Sequence, residues 1–344
     1  MTHAVHDALT VTYDRDGTPD SVHQVAAVVA QHDQVMAQWG TGPDHVFSSD
    51  AFHPFWALAL VASGAADAFD LQEHQLALAL SSHSGEPRHQ KAITHWLDHL
   101  DLSEADLRCA AQPPRWHQAM VDLYREGEAP SAKHHAYSGA HTAMLTLMAH
   151  LNATGDDKAP GDYREYDHPV QRYGRDVAQP FWVEDLSAPT WAPDATAPDG
   201  TGVPSYAIGL KTLAQAYARF VSPPAGQATA CEAVCHAWGS RPDLVAGSDC
   251  FDTAVMLATE GRVLSKSGVE GVQMAVITDQ KLGLAVKVMD GAQRAAEQAM
   301  AALLVKHGAL DKDDDELHKH WPSANHHRLH QQDSPVGGVT VTGL

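Results

Sequence analysis

The chain has 344 residues, and its 23 lysine and arginine residues stand against 43 aspartate and glutamate residues, so the formal net charge is −20. A protein this acidic is a poor candidate for binding the phosphate backbone of a nucleic acid, and we expect no nucleic-acid partner. No apolar run approaches the ~18 residues of a membrane span, and the first residues lack the basic and apolar pattern of a secretory signal. We therefore expect no membrane partner.

The cysteines indicate the redox environment. The chain has four of them, at positions 109, 231, 235 and 250, and none forms a C-x-x-C pair. We interpret them as free thiols in a reducing compartment, which favours a cytoplasmic location. A disulfide or a metal site is the alternative.

The beginning of the chain predicts strands followed by a buried helix. Alternating or β-branched residues predict strands at 9–13, 22–29 and 35–39. The Ser-Ser-Asp cluster at 48–50 is typical of a helix N-terminus, and segment 52–62 after it is apolar on most sides. We expect that helix to be buried.

The middle of the chain predicts mainly helices. A second apolar segment covers 71–81, and helical spacing predicts helices at 88–100, 138–151, 169–177, 206–220 and 228–238. Proline, glycine and aspartate are frequent at 158–166 and 189–203, which predicts long irregular loops there.

The pattern changes after residue 248. It predicts a helix at 253–259, strands at 262–266, 271–278 and 282–288, an alanine-rich helix at 292–304 and a last strand at 336–341. Strands at both ends with helices between them indicate a mixed α/β (α+β) layer fold whose sheet is built from both termini. We predict a single domain over 1–344, with a sheet part at 1–48 and 248–344 and a mainly helical part at 49–247.

Three short stretches carry side chains suited to catalysis. Ser82 lies between an apolar segment and a glycine-containing turn, where it can present its hydroxyl; a capped turn is the alternative. Lys266 ends an apolar strand, and a buried lysine can act as a base; an exposed strand-end lysine is the alternative. Asp50 and His53 are three residues apart, so the carboxylate can fix the tautomer of the imidazole, or can simply cap the helix.

Several longer stretches match one family in its order along nearly the whole chain. They are SHSGEPRH at 82–89, LRC at 107–109, Ser138-Gly139 with His141 and Met144-Leu145, DHPVQR at 167–172, Asp199-Gly200 with GVP at 202–204, PDLVAG at 242–247, FDT at 251–253, Lys266 with Gly268 and Glu270-Gly271, and Asp290-Gly291. Together they resemble the L-asparaginase II family, the thermolabile bacterial type related to a rhizobial enzyme.

This resemblance implies a fold similar to serine β-lactamases and penicillin-binding proteins, which use a Ser-x-x-Lys pair. In the family, a nucleophilic serine and a lysine three residues later open the first buried helix within an Arg-Ser-x-x-Lys-Pro pattern. Residues 49–54 of this chain read SDAFHP, so Asp50 and His53 replace that serine and lysine. The family's second serine and second lysine match Ser82 and Lys266.

The family also has a zinc site built on two cysteines and a lysine. The matching positions here are Tyr137, Ala140 and Thr201, which do not form a good set of zinc ligands. We therefore expect no metal and no other cofactor.

The first reading of these residues is an enzyme that acts on an amide or amino-acid-derived small molecule. Ser82 would be the nucleophile or proton relay and Lys266 its base, with His53 and Asp50 as an acid/base pair. Backbone N–H groups near Ser82 or Gly202 would hold an oxyanion. Glu270 would bind a substrate amine, and Arg88 or His83 a carboxylate. The full set of substrate-binding candidates is His83, Arg88, Tyr137, Thr201, Gly202, Glu270 and Trp56.

Two further readings stay open. One is a non-hydrolytic biosynthetic enzyme, catalysing a cyclisation, elimination or condensation; Trp56 and Tyr137 add aromatic surface, which favours a ligand more apolar than asparagine. The other is a homologue that binds a ligand without catalysis. A variant of the enzyme readings places a metal on Asp50, His53 and His83. In each case we expect a small amino-acid-like ligand and a homodimer, for which helix 292–304 is a candidate surface.

Overall fold

The computed structural model describes residues 4–43, 45–155, 159–182, 196–321 and 337–344. The strands in these ranges are β1 (Val5–His6), β2 (Leu9–Arg15), β3 (Thr18–Gln31), β4 (Gln34–Trp39), β5 (Val46–Phe47), β6 (Thr196–Pro198), β7 (Pro204–Ile208), β8 (Val263–Ser267), β9 (Val272–Ile277), β10 (Leu282–Val288) and β11 (Gly337–Thr342). The helices are α1 (His53–Ala62), α2 (Ala65–Ala68), α3 (Glu73–Ala79), α4 (Pro87–His99), α5 (His117–Arg125), α6 (Ser138–Thr154), α7 (Pro169–Ala178), α8 (Leu210–Ala218), α9 (Ala228–Ser240), α10 (Pro242–Val245), α11 (Phe251–Ala258), α12 (Gln293–Lys306) and α13 (Asp315–His320).

The chain divides into two compact units. The sheet unit comprises Met1–Val46, Ile208–Ser222 and Asp249–Leu344, and the helical unit comprises Phe47–Ala207 and Pro223–Ser248. Helix α8 therefore belongs to the sheet unit, although its residues fall inside the range that the sequence assigns to the helical part. That the whole chain is a single domain stays a prediction.

The main sheet draws its strands from both ends of the chain. Its order is β1-β4-β3-β10-β9-β8, and β2 pairs with both β3 and β11. In β2 every second residue is buried up to Tyr13, which is the alternation expected of a strand with one face on a core. β9 is buried along its whole length. The predicted mixed α/β class with a sheet built from both termini is confirmed; residue 336, where we predicted the last strand to begin, lies outside the described residues.

Helix α8 packs against β10 and β3 at a point where only glycine fits. A Cβ atom built on Gly283 of β10 would lie 2.1 Å from the carbonyl oxygen of Ala214 and 2.3 Å from the nitrogen of Ala218. Both neighbours are backbone atoms of α8, so they cannot turn aside as a flexible side chain does. The close approach of helix and strand therefore depends on the missing side chain at Gly283.

We expect Gly283→Ala to lower the free energy of unfolding by about 3 kcal/mol, because the added methyl group must push α8 away from β10. Gly200→Ala is the matched control, since nothing lies within 4 Å of a Cβ atom at that position. Chemical denaturation of the two variants measures the difference. Equal midpoints would show that α8 does not approach β10 as closely as the structure has it.

The helical unit is organised around α1. Eight of its ten residues, His53–Leu60, are buried, and it contacts α3, α6, α7 and α9. A helix that is apolar all round is stable only inside such a cluster, which agrees with the prediction of a buried helix from the composition of 52–62. The first residues of α1 and the turn before it carry part of the candidate site.

The prediction of one helix over 206–220 is wrong in its first part. Pro204–Ile208 forms strand β7, which pairs antiparallel with β6, and α8 begins only at Leu210. Tyr206 exchanges hydrogen bonds with Ser48: its N–H donates to the Ser48 hydroxyl at 2.9 Å, and its carbonyl accepts from the Ser48 N–H at 2.8 Å. These pairings, which involve distant residues, override the local helical pattern.

Candidate active site

The hydroxyl of Ser82 lies against the carboxylate of Asp50 inside the helical unit. Ser82 follows α3, and Asp50 lies in a 3₁₀ turn, Ser49–Phe52, that leads into α1. Ser82 Oγ donates to Asp50 Oδ1 at 2.5 Å, and both residues are buried. A hydroxyl that donates to a carboxylate at this distance forms a strong, charge-assisted bond. Asp50 is thus placed to take the proton of Ser82.

The turn that presents Asp50 has an unusual backbone at Ser49, where φ is +31°. Non-glycine residues with positive φ cost about 1–3 kcal/mol and persist where surrounding contacts hold them. Here the Ser49 N–H donates to the Ser205 hydroxyl at 2.8 Å. The neighbouring strand β7 therefore holds the turn in place, and with it the position of Asp50.

Tyr137 occupies the second oxygen of the carboxylate. Its hydroxyl donates to Asp50 Oδ2 at 2.7 Å. Burial, and then the negative charge of Asp50, raise the pKa of Tyr137 above its usual value, so the phenol keeps its proton and remains the donor. Each oxygen of Asp50 therefore accepts a hydrogen bond from a hydroxyl group, one from Ser82 and the other from Tyr137.

His53 lies beside the same pair. Its Nδ1 is 2.7 Å from the carbonyl oxygen of Ser81 and 3.3 Å from Ser82 Oγ. Because a carbonyl oxygen can only accept, Nδ1 carries a proton and is the donor in this bond. The interpretation that Asp50 fixes this tautomer is therefore revised, since the Ser81 carbonyl receives the Nδ1 proton.

Among the backbone N–H groups near Ser82 and Gly202 that could hold an oxyanion, those of the two residues themselves are already bonded within the protein. The N–H of Ser82 donates to the Val245 carbonyl at 3.0 Å, and the N–H of Gly202 donates to the Asp199 carbonyl at 3.1 Å. An oxyanion donor must approach the developing charge directly. The expected role of these two amides is therefore not supported by their geometry.

Thr201 belongs to a directed chain of hydrogen bonds. The N–H of Arg108 donates to the Tyr163 hydroxyl at 2.8 Å, and this hydroxyl lies 2.7 Å from His141 Nδ1. His141 Nε2 lies 3.0 Å from the Thr201 hydroxyl, which donates to Asp199 Oδ1 at 2.6 Å. Since each hydroxyl has one proton, the chain assigns the proton of His141 to Nε2. Thr201 is thus engaged in holding Asp199.

A cavity of about 10 Å³, room for a single water molecule, lies beside these groups. Trp56 is one of its walls, and it also packs so closely on α7 that a Cβ atom at Gly174 would lie 2.5 Å from its ring. The aromatic side chains of Trp56 and Tyr137 therefore fill space rather than open it. That they bind a ligand more apolar than asparagine stays a prediction. Its lining residues are Ser49, Phe52, His53, Trp56, Tyr137, Ala140, His141, Met144, Asp199, Val203 and Pro204.

The side chains at the family's zinc positions do not fit a zinc ion. The hydroxyl of Tyr137 donates a hydrogen bond to Asp50, and that of Thr201 donates one to Asp199. The side chain of Ala140 has no atom that can bind a metal. Over the parts of the chain that the structure describes, no group of three or more His, Cys, Asp or Glu side chains is arranged to hold a metal. We therefore assign no step to a metal.

His83 and Arg88 have partners that explain their positions. His83 is fully buried; its Nδ1 accepts from the Gly85 N–H at 3.1 Å, and its Nε2 lies 2.9 Å from the Ser138 hydroxyl. Arg88 donates to Glu86 Oε2 at 2.6 Å and to the Ser248 hydroxyl at 3.0 Å. Since both ring nitrogens of His83 are bonded within the fold, it is a structural residue here, neither a metal ligand nor a carboxylate handle. Arg88 likewise already neutralises a buried carboxylate.

Lys266 and Glu270 lie in the sheet unit. Lys266 is on β8, it is 1% exposed, and its Nζ donates to the Ser267 carbonyl at 3.1 Å. Its two neighbours on the strand are held by Asp252, which accepts from the Ser265 hydroxyl at 2.6 Å and from the Ser267 N–H at 2.8 Å. Glu270 lies exposed in the turn after β8. The sequence-based roles of both residues stay predictions.

Sequence reasoning missed three residues of the site. His141 and Asp199 stand in the stretches that resemble the family, but no spacing rule marks them as functional, and Tyr163 lies outside those stretches. Their partners are distant along the chain: His141 contacts residues 22 and 60 positions away. Only the folded chain brings them together.

Several buried histidines make stability depend on pH. Burial lowers the pKa of His89 and His135 from 6.5 to about 4, and lowers that of His83 and His141 well below 6.5. The unfolded chain then binds protons below about pH 6.5 that the folded chain does not, so stability is full above that pH and is lost as the pH falls toward 4. We expect the denaturation midpoint to decrease steadily between pH 7.5 and 5. A His135→Gln variant should show a shallower decrease, and a flat profile for both proteins would contradict the burial of these rings.

The fold and the site define a mixed α/β protein in which a serine hydroxyl is paired with a buried carboxylate. The chain belongs to the L-asparaginase II family, whose family model matches residues 11–341. A comparison with curated proteins finds no match. Among solved structures, the chain is similar to the crystal structure of a beta-lactamase (Mb2281c) from Mycobacterium bovis, with 14% sequence identity, a TM-score of 0.41, and coverage of 83% of this chain and 95% of that chain. Among the described residues, no helix combines the length and apolarity needed to cross a membrane.

Proposed function

We propose that this protein hydrolyses an amide bond of a small amino-acid-derived molecule, with Ser82 as nucleophile and Asp50 as its general base. The observation that carries the proposal is the 2.5 Å hydrogen bond from Ser82 Oγ to Asp50 Oδ1. Membership of the L-asparaginase II family supports an amide substrate. The proposal departs from the sequence-based expectation in one respect, since Asp50 replaces Lys266 as the group that receives the serine proton.

The chemistry proceeds by acyl transfer. Ser82 Oγ attacks the amide carbonyl carbon while its proton passes to Asp50, and the protonated carboxyl then gives that proton to the leaving nitrogen. Ammonia leaves, and an ester joins the acyl group to Ser82. A water molecule attacks the ester, again giving its proton to Asp50, and the regenerated Ser82 hydroxyl recovers a proton as the acid product leaves.

The neighbouring side chains have supporting roles in this proposal. Tyr137 holds the second oxygen of Asp50, which leaves one oxygen directed to Ser82. His53, held by the Ser81 carbonyl, orients the serine oxygen from its other side. We still propose, from the family resemblance, that Lys266 is a further base of the site and that Glu270 binds a substrate amine.

A non-hydrolytic reaction on the same scaffold is the second candidate. It is favoured by the hydrogen bonds that engage the N–H groups of Ser82 and Gly202, because acyl transfer gains much of its rate from free oxyanion donors. An elimination or cyclisation needs a base such as Asp50 and a proton donor such as Tyr137, without that requirement.

The two candidates are separated by incubating the purified protein with L-asparagine and L-glutamine and measuring ammonia, with and without added zinc. Ammonia above background that Ser82→Ala abolishes supports hydrolysis. If no ammonia forms, a thermal-shift screen of amino-acid-derived ligands follows. A ligand that stabilises the protein and is converted without ammonia release supports the second candidate, and one that is never consumed indicates a binding protein.

The assembly and location of the protein are also proposals. We propose a homodimer and a cytoplasmic location, and the four cysteines, none of which forms a disulfide in the described chain, are compatible with a reducing compartment. Sedimentation of the purified protein tests the dimer.

A further inference from the structure

A serine, a histidine and an aspartate of the sheet unit contact one another near the start of β3. Ser21 and His23 are two residues apart on this strand, so their side chains lie on the same face of the sheet. Asp290 follows β10, which pairs with β3. His23 Nδ1 lies 2.6 Å from Asp290 Oδ2, and His23 Nε2 lies 3.2 Å from Ser21 Oγ. Carboxylate, imidazole and hydroxyl therefore follow one another in the order of a catalytic triad.

The surrounding hydrogen bonds give the protons of this triad a direction. Burial opposes ionisation of Asp290, but hydrogen bonds from the Ala292 N–H and from His23 outweigh it and lower the pKa of the carboxyl from 3.8. An ionised carboxylate can only accept, so His23 donates from Nδ1, and Nε2 of the neutral ring carries a lone pair. Arg294 Nη2 donates to Ser21 Oγ at 2.9 Å and accepts nothing. The hydroxyl proton of Ser21 is therefore left for His23 Nε2.

Arg294 has the position of an oxyanion donor. Its Nη2 is closer to Ser21 Oγ, at 2.9 Å, than to His23 Nε2, at 3.5 Å. Its guanidinium lies over the Tyr13 ring, 4.3 Å from the centroid, and its carbonyl accepts from the Tyr13 hydroxyl at 3.0 Å. In acyl transfer the oxyanion and the attacking oxygen are bonded to the same carbon, so a donor beside Ser21 Oγ is also close to the developing charge.

The exposure of the triad indicates the class of substrate. Ser21 is partly exposed and the side chain of Asp290 is 51% exposed, while His23 between them is buried. A small molecule can therefore reach the serine from solvent. An open site supplies less binding energy than an enclosed pocket, which favours a substrate whose leaving group departs easily. An activated ester has such a leaving group.

We propose that Ser21, His23 and Asp290 form an acyl-transfer site that hydrolyses small activated esters. Ser21 Oγ attacks the ester carbonyl carbon while its proton passes to His23 Nε2, and the alcohol leaves with that proton. Water then attacks the acyl–serine ester and gives a proton to His23 Nε2, and Ser21 recovers a proton as the acid leaves. Asp290 is a positioning residue, which holds the ring in the productive tautomer. The proposal is independent of the amide chemistry proposed for Ser82 in the helical unit.

The test is labelling of the intact protein at about pH 8.5 with diethyl p-nitrophenyl phosphate, followed by peptide mass spectrometry. A nucleophilic serine displaces p-nitrophenolate from this probe and retains the phosphoryl group. We expect a label on Ser21 and at least about 10²-fold slower labelling of Ser21 in Asp290→Asn, because an amide can donate to Nδ1 and so favours the wrong tautomer. Asp279→Asn is the matched control, since Asp279 is a half-exposed aspartate of the same unit that pairs with Arg262. It should leave the labelling rate unchanged.

Two further measurements separate positioning from structure and test turnover. A ¹⁵N NMR spectrum of the histidine rings should show the His23 proton on Nδ1 in the native protein and on Nε2 in Asp290→Asn, a change that a purely structural role would not produce. Turnover of p-nitrophenyl acetate is measured in the Ser82→Ala background, so that the proposed amide site does not contribute. It should fall when Ser21→Ala is added, down to the background supplied by the other histidines of the chain.

Four results would overturn the proposal. They are labelling of Ser21 no faster than that of other exposed serines, equal labelling of Ser21 in Asp290→Asn, a His23 proton on Nε2 in the native protein, and ester turnover that Ser21→Ala does not lower. None of these results bears on ammonia release by the Ser82 site, and loss of that activity does not bear on the labelling of Ser21.

Discussion

Ser82→Ala and Asp50→Asn should each reduce the rate of ammonia release by about 10³-fold or more, because each removes one member of the pair that carries the first step. Asp50→Asn keeps the shape of the side chain and still accepts one of the two hydrogen bonds, but it does not take the proton. Residues that act as a unit have non-additive effects. The double variant should therefore be no slower than the slower single variant.

A control at Ser84 and a milder change at Tyr137 separate loss of chemistry from loss of structure. Ser84→Ala changes a buried serine in the same segment, whose hydroxyl donates to Glu86 at 2.7 Å and touches no proposed reacting group. It should lower stability and leave the rate per folded molecule within about threefold of the native value. Tyr137→Phe removes the bond that positions the second oxygen of Asp50 and should reduce the rate by about 10-fold, because the carboxylate is held less precisely against Ser82. Native activity in Ser82→Ala would contradict the proposed mechanism.

Glu86→Gln should have the largest effect on stability, because Glu86 is a buried carboxylate that ties its own segment, with Ser84 and Arg88, to the chain at Ser248. It accepts from the Ser84 hydroxyl at 2.7 Å, from the Ser248 N–H at 2.6 Å and from Arg88 at 2.6 Å. Hydrogen bonds to a charged group contribute about 1.5–3 kcal/mol each, and the substitution weakens all three. The segment that Glu86 holds also carries Ser82, so activity should fall with the folded fraction.

The pH dependence of this variant supplies an independent check. Burial alone would raise the pKa of Glu86, but hydrogen bonds from Ser248 and Ser84 and the charges of His89 and Arg88 outweigh it, and the pKa is lowered from 4.5. The contribution of Glu86 is therefore present above about pH 4.5 and is lost as the pH falls through the lowered folded-state pKa. The stability difference between native protein and Glu86→Gln should be constant from pH 8 to 5 and should shrink below that.

Glu316→Gln is the matched control for Glu86, because Glu316 is half-exposed and pairs with Lys319 at the surface. Exposed pairs of this kind contribute less than about 1 kcal/mol. Chemical denaturation at each pH gives both differences. Equal losses in the two variants would contradict the buried network around Glu86.

Local pattern was sufficient for elements that bury one continuous face. The alternation of β2 and the apolar runs of β9 and β10 are readable because each strand meets the same core along its length. The buried helix α1 was readable for a similar reason. β7 was not, because its strand form depends on pairing with β6 and on Ser48, which lies 158 residues away from Tyr206. Neither partner falls within the short stretch of sequence from which a strand or helix is predicted.

The same distinction applies to the site. The resemblance to the family marked Ser82 and the replaced positions Asp50 and His53, because their neighbours in sequence were recognisable. It did not predict that Asp50 would accept hydrogen bonds from Ser82 and Tyr137. These bonds depend on the backbone of Ser49 and join residues 32 and 87 positions apart. His83 and Arg88 were chosen for their chemistry, and the structure uses that chemistry inside the fold.

The most direct test of the Ser82–Asp50 pair is covalent labelling with a fluorophosphonate, a probe that reacts with activated serine hydroxyls, followed by peptide mass spectrometry. We predict a label on Ser82 in the native protein and at least about 10²-fold slower labelling in Asp50→Asn, since the base no longer takes the proton. Absence of the label from Ser82, or labelling of Ser82 at an equal rate in both proteins, would contradict the account.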